Sequence, residues 1–292
     1  MSFGIRLENQ FKVFTSGKGQ LGEIVLFRHL TESIKMAGGP NRVFEYHGVK
    51  SKVEYLSVMY ATSGQLLRCE LCDLCIISYS KKNSKIRITY LQNKVHQQSS
   101  LGTNFTGNVR QWELLSKRPK VKSLGSVKVS SDMLKDAVLP SVGSFGIFYK
   151  SGSGYSMQYS VANLIEPFTL NASSANRTLV LKGTNNKIRK ISALEELEAC
   201  NDLKIFGNNL KSLKIGTPLF SYIRNKPDPD DFINPLRSLV NSNRTNTVVK
   251  EFGELLESYL NRYNIDFTIR PEKHSKSNMM NMMLISVDDI EE

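Results

Sequence analysis

Two apolar runs, separated only by a short polar stretch, constrain this chain more than any other feature. They are Leu71–Tyr79 (LCDLCIISY) and Ile86–Val95 (IRITYLQNKV). Both are rich in Ile, Leu and Tyr, and they fit a pleated, buried surface. The stretch Lys81–Lys85 (KKNSK) joins them as a hairpin turn or short loop. The expected product is an antiparallel strand pair in a mixed β-sheet flanked by helices, an α/β fold, followed by an α+β C-terminal region. The chain has 292 residues, enough for one large domain or two small ones. Composition shifts at the Gly/Ser-rich Ser151–Gly154, which suggests a core over residues 1–150 and a second region over 151–292.

Polar residues inside apolar strands need a reason. Here they are Asp73 on the first run, and Gln92 and Lys94 on the second. Gln92 and Lys94 are two apart, so they share a strand face, together with Ile86, Ile88 and Tyr90. A turn centred near Asn83–Ser84 sets Asp73 almost opposite Lys94, and a one-residue slip would separate them. A carboxylate in such a trio can hold Mg²⁺ or Mn²⁺ through oxygen, with an amide oxygen and a backbone carbonyl as further ligands. The metal would polarise a phosphodiester and acidify a bound water. A neighbouring lysine can orient that water and offset phosphate charge.

Upstream, Leu21–Ala37 reads as an amphipathic helix. Leu26, Leu30, Ile34 and Ala37 recur at helical spacing, and Gly38-Gly39-Pro40 ends it. Glu23 stands at the N-terminal end of that stripe, placed to add an acid to the trio. The plainer role for Glu23 is a first-turn acid favoured by the helix dipole. For Asp73 and Lys94 the plainer role is a salt bridge with no chemistry.

The pattern E-L-x-D-L-x-I-I from Glu70, followed by Y-L-Q-x-K-V from Tyr90, resembles the PD-(D/E)XK nuclease superfamily, the restriction-endonuclease-like fold. That family places an acid on one strand, acid-x-Lys on the next, and a Glu on a preceding helix. The resemblance implies that Asp73 is the metal-binding aspartate, Gln92 stands at the second acid, Lys94 is the catalytic lysine and Glu23 is the helix acid. Gln92 departs from the usual Glu or Asp, although Gln-x-Lys versions occur; it removes one negative charge from the metal site. The continuation QWELLSKRP, Gln111–Pro119, fits the Q-x-x-L-L and Pro of one bacterial group. The resemblance covers roughly Leu21–Pro119. It implies a Mg²⁺- or Mn²⁺-dependent DNA endonuclease of the defence or mobile-element kind, acting as a homodimer because two strands take two sites. The competing implication is a non-catalytic nucleic-acid-binding protein on a decayed nuclease fold.

Charge points to the same class of partner. The formal net charge is +12, which favours a polyanion. From Lys81 to Lys128 there are 11 Lys or Arg and one acid, Glu113. Lys117, Arg118, Lys120 and Lys122 are the expected phosphate contacts, and an interface of that kind loses affinity steeply with salt. Charge alone does not separate DNA from RNA. No apolar run approaches the ~20 residues of a membrane span, and the N-terminus lacks a signal-peptide pattern, so no membrane partner and a cytoplasmic location are expected. Cys69, Cys72 and Cys75 form C-x-x-C-x-x-C. On one buried strand, residues three apart point to opposite faces, so these read as small buried hydrophobes. His96 reads as a solvated strand end. Asp228, Asp230 and Asp231 lack the Gly and distal Glu of a calcium loop. Ser192–Cys200 reads as an acidic helix, and Pro235–Val240 as a short helix capped by Asn234.

Overall fold

The computed structural model describes residues 1–45, 51–59, 63–96, 98, 101–124, 129–169, 175–181, 188–192, 195–198, 200–219, 230–265 and 281–290. Helices α1 (Phe3–Thr15) and α2 (Glu23–Met36) come first, then strands β1 (Asn41–Phe44), β2 (Lys52–Leu56) and β3 (Leu66–Glu70). The expected hairpin follows as β4 (Leu74–Ser80) and β5 (Lys85–His96). Next come β6 (Asn104–Asn108), α3 (Val109–Lys117), β7 (Lys122–Ser123), β8 (Gly143–Ser151) and β9 (Gly154–Val161). The chain continues through β10 (Ile165–Pro167), β11 (Asn176–Leu181), β12 (Ile188–Ser192), β13 (Glu195–Glu198) and β14 (Cys200–Asp202). It closes with α4 (Leu203–Lys211), β15 (Thr217–Pro218), α5 (Asp230–Ser242), α6 (Thr247–Asn261) and β16 (Met282–Ser286).

The main sheet is mixed and runs β1-β16-β4-β5-β8-β9-β14, with β15 beside β5. Strands β4 and β5 are antiparallel, whereas β5 with β8 and β16 with β4 are parallel. Every residue of β4 is buried, because the strand is covered on both faces. Leu74 and Ile76 point into a core made by α1, α2 and α4, with Phe11, Leu30 and Phe206. Cys75, Ile77 and Tyr79 point the other way, into a core that includes Trp112 of α3 and Phe252 of α6. This is the α/β architecture with a helix-flanked mixed sheet that the sequence suggests. Among the described residues, no helix is long and apolar enough to cross a membrane.

The sheet takes strands from both sides of residue 150. Ser151 pairs with Gly154 in the tight turn between β8 and β9, so the Gly/Ser-rich stretch is a hairpin turn inside the sheet. The last strand, β16, inserts between β1 and β4. Two helix expectations change. Within Ser192–Cys200, residues 195–198 are strand β13, paired with β12, and Cys200 opens β14, paired with β9. Strand pairing overrides the helical leaning of Glu, Leu and Ala there. Pro235 lies inside the 13-residue helix α5 instead of opening a short one. Asp228 lies outside the described residues, while Asp230 and Asp231 begin α5.

Parallel neighbours need a crossover, and α3 lies within the one between β5 and β8. Asn108 caps it, its side chain accepting from the Arg110 and Gln111 N–H groups. Arg118, at φ 53°, ends it in the left-handed region, just before Pro119. Trp112 Nε1 donates to the Ile165 carbonyl at 2.7 Å. Buried Glu113 accepts from Ser57 Oγ and from the Val58 and Met59 N–H groups at 2.7–3.0 Å. The C-terminal turn of α3 passes very close to the start of β8: a Cβ on Gly143 would lie 2.5 Å from the Leu115 carbonyl oxygen. Gly143→Ala therefore has to separate α3 from β8. It is expected to destabilise the chain by ~1–3 kcal/mol, read as a lower denaturant midpoint with an unchanged m-value; an unchanged midpoint would contradict this packing.

Candidate active site

The register of the hairpin decides what meets what. Leu74 pairs with Leu91 and Ser80 with Lys85, leaving the four residues Lys81–Ser84 in the turn, with Ser84 at φ 47°. The turn is thus centred between Lys82 and Asn83. Asp73 meets Gln92 instead of standing opposite Lys94. The difference amounts to two positions on the facing strand, and a shift of two preserves the strand face. The trio therefore still converges.

The first run is also not one continuous strand. Strand β3 belongs to a separate sheet with β2 and β7, and the chain breaks at Leu71–Asp73 before β4 begins. Beyond Leu91, β5 continues to His96 with β8 on one side and no β4 on the other. Carboxylates occupy that open edge. Asp73 Oδ2 accepts from the Asn93 backbone N–H at 2.6 Å and from Gln92 Nε2. Glu23, in the first turn of α2, lies against the Val95 N–H, and its Oε1 is 3.6 Å from Lys94 Nζ. Two successive outward N–H groups of β5 are thus met by side-chain acids where a strand carbonyl would otherwise serve. Asn281, just before β16, donates from Nδ2 to the Asp73 carbonyl at 3.2 Å.

The electrostatics of this corner are unbalanced. Burial pushes the Asp73 carboxyl above its ordinary value, against the pull of the Lys94 ammonium and the hydrogen bonds from Asn93 and Gln92. Burial also raises Glu23; Lys94 opposes this and the Asp73 charge adds to it. Two acids therefore share one lysine. Gln92 is 1% exposed, and its Oε1 has no hydrogen-bond partner. Leaving a buried amide oxygen unsatisfied costs ~1–3 kcal/mol, so it marks a position that calls for an explanation. An oxygen-seeking cation fits this set: two carboxylates and an orphaned amide oxygen suit Mg²⁺, which takes one or two carboxylates and keeps several waters. Among the described residues there is no group of three or more His, Cys, Asp or Glu placed to hold a metal. Any ion here would rest on Asp73, Glu23 and the neutral oxygen of Gln92.

The basic residues are dispersed. Lys81 and Lys82 lie at the turn end of the hairpin, where Lys81 pairs with Glu254 at 2.9 Å and Lys82 Nζ reaches the Asp288 carbonyl at 3.4 Å. Lys117 sits over the Trp112 ring, 5.5 Å from its centroid. Arg118 donates to the Ala137 carbonyl at 2.8 Å, and Lys120 is 3.4 Å from Asp132. Lys122, on β7, is exposed. Three of the four expected phosphate contacts thus already carry structural interactions.

Other expectations shift as well. His96 is half-buried, not solvated, and its Nε2 is buried without a partner. Gln111, on α3, is buried, 8% exposed. Cys72 and Cys75 are buried and Cys69 partly so. Burial pushes the thiols of Cys69 and Cys75 up to about 12 and that of Cys72 well above its ordinary value. All three pack on one core as protonated thiols, although they span two strands of different sheets. Asn93 and Asn281 carry no local sequence signal, because both act on Asp73 through contacts that only the fold creates.

The chain matches no protein-family model, no curated protein and no solved structure.

A raised carboxyl pKa in the folded state means that the folded chain holds that proton more tightly than the unfolded one. Stability is then lost as pH rises from the unfolded value through the raised one. Asp73→Asn removes this cost and keeps an acceptor for the Asn93 N–H. Without divalent ions, Asp73→Asn is expected to melt several degrees above wild type at pH 7, with the gap closing as pH falls into the carboxylate range. A variant less stable than wild type at pH 7 would contradict the assignment of a costly buried charge.

Proposed function

We propose that this corner is the catalytic site of a metal-dependent nuclease acting on DNA. The observation that carries the reading is the convergence of Asp73, Gln92, Lys94 and Glu23 at the open edge of β5, with Gln92 Oε1 buried and unpartnered. The PD-(D/E)XK pattern asks for the same four positions; Gln92 and Lys94 stand on a strand and Glu23 on a preceding helix, while Asp73 stands in the bend just before β4. Asp73, Gln92 and Glu23 would hold Mg²⁺ or Mn²⁺. A bound ion of this class supplies Lewis-acid polarisation of the phosphoryl oxygen and a water of lowered pKa.

The chain's own residues do the rest. Asp73 is fixed by the Asn93 N–H and the Gln92 amide, so its carboxylate does not need to reorganise on binding. Lys94 lies 15% exposed at the edge of the sheet, held by Glu23. There it can contact the phosphate under attack or orient the attacking water. Glu23 keeps that ammonium in place and shares the acid role. A net positive chain supports capture of the polyanion. Cutting both strands of a duplex would bring two copies together.

One observation favours the competing reading, a nucleic-acid-binding protein on a decayed nuclease fold: the amide nitrogen of Gln92 faces Asp73, where the family usually has a second acid. Three variants test the two readings in a plasmid-cleavage assay with Mg²⁺ or Mn²⁺. Asp73→Ala and Lys94→Ala are each expected to abolish cleavage while leaving duplex binding largely intact. Gln92→Glu is expected to remain active. Inert wild type with an active Gln92→Glu would establish the decayed form. Equal cleavage by wild type and Asp73→Ala would remove this site from the account.

A further inference from the structure

A second feature lies one strand step beyond Lys94. A cavity of about 80 Å³ is lined by Gln20, Val95, His96, Lys150 and Tyr155. It is a built feature of the fold. Tyr155, 2% exposed on β9, accepts from the Leu21 N–H at 3.0 Å and reaches the Gly19 carbonyl at 3.4 Å. The Gly17 N–H donates to the Ser153 carbonyl at 3.0 Å. These bonds pin the α1–α2 loop against the β8–β9 hairpin and close one side of the cavity. Val95 is shared with the corner already described, since its N–H faces Glu23.

The lining has a definite chemistry. Among the described residues it contains a lysine, a histidine, an amide and a phenol, and no carboxylate. His96 Nε2 is buried and has no hydrogen-bond partner in the chain. At about 80 Å³ the cavity exceeds the ~10–15 Å³ that a single water needs, which leaves room for a tetrahedral oxyanion. His96 and Lys94 are two residues apart on β5, about 6.6 Å along an extended strand.

We propose that this cavity is a phosphate subsite, which seats a backbone phosphate of the bound DNA strand beside the one placed at Asp73 and Lys94. The inference rests on the nuclease reading of that corner. It adds a positioning function: Lys150 and His96 fix the strand, and the four acid, amide and lysine groups act on the neighbouring link. Charge-assisted contacts of this kind are the ones that set orientation on phosphate.

Two metal-free measurements on the full chain test it, and neither depends on cleavage. In the first, inorganic phosphate is titrated while the His96 imidazole resonances are followed. A saturable shift is expected in wild type and its loss in Lys150→Met; Lys150 is exposed, so the substitution leaves the core intact. In the second, equilibrium binding of a duplex oligonucleotide is expected to weaken about five- to tenfold in Lys150→Met, the scale of one lost charge-assisted contact. No saturable shift at His96 would overturn the subsite. A saturable shift with unchanged duplex affinity in Lys150→Met would show a cavity for free phosphate and overturn its role on the strand. Failure of the nuclease reading would appear separately, as cleavage that survives Asp73→Ala.

Discussion

The late start of β4, at Leu74, is the constraint on which the rest of this structure depends. A central strand normally finds its hydrogen-bond partners in both neighbours. Here β5 outruns β4 by five residues, Gln92–His96, while β8 continues beside it. Its outward N–H groups at Asn93 and Val95 must still be satisfied, because buried backbone donors are rarely left alone. Asp73 and Glu23 supply the acceptors. The fold thus draws two carboxylates toward one corner for a structural reason, and that placement creates the electrostatic cost from which a metal site can be made.

The surrounding architecture holds the edge open. Strand β16 arrives from the far end of the chain, runs parallel to β4 and donates Asn281 to the Asp73 carbonyl. Helix α2 packs through Leu26, Leu30 and Ile34, and so fixes where Glu23 stands. Helix α3 carries the chain between β5 and β8, sealed by the close approach of Leu115 to Gly143. Burial raises both acids, and Lys94 offsets only part of that cost. A cation would offset the remainder and would give Gln92 Oε1 the partner it lacks.

Much of this is legible in the residues themselves. The two apolar runs mark β4 and β5, and two-residue periodicity sets Gln92 and Lys94 on one face. The i, i+4 stripe from Leu26 marks α2. Register was not legible, because it depends on how many residues the turn takes, and Ser84 enters the left-handed region to make it four. The break at Leu71–Asp73 was hidden as well, since Leu71–Ile77 is apolar at every position but Asp73 and periodicity cannot show where a strand changes sheets. Asn281 and β16 reach the site across 208 residues of sequence, a distance that no local pattern spans. The fold also divides the basic run: Lys81 and Lys82 stand at the turn of the β4–β5 hairpin, Lys117 ends α3, and Lys122 lies on β7 in a separate sheet.

The account's central claim is that Asp73 and its neighbours form a divalent-cation site, whatever that site then does. Titration of Mn²⁺ into the full chain, with free ion read by electron paramagnetic resonance, tests it directly. The account predicts saturable binding of one ion per chain in wild type and its loss in Asp73→Ala. No saturable binding, or equal binding in Asp73→Ala, would contradict it.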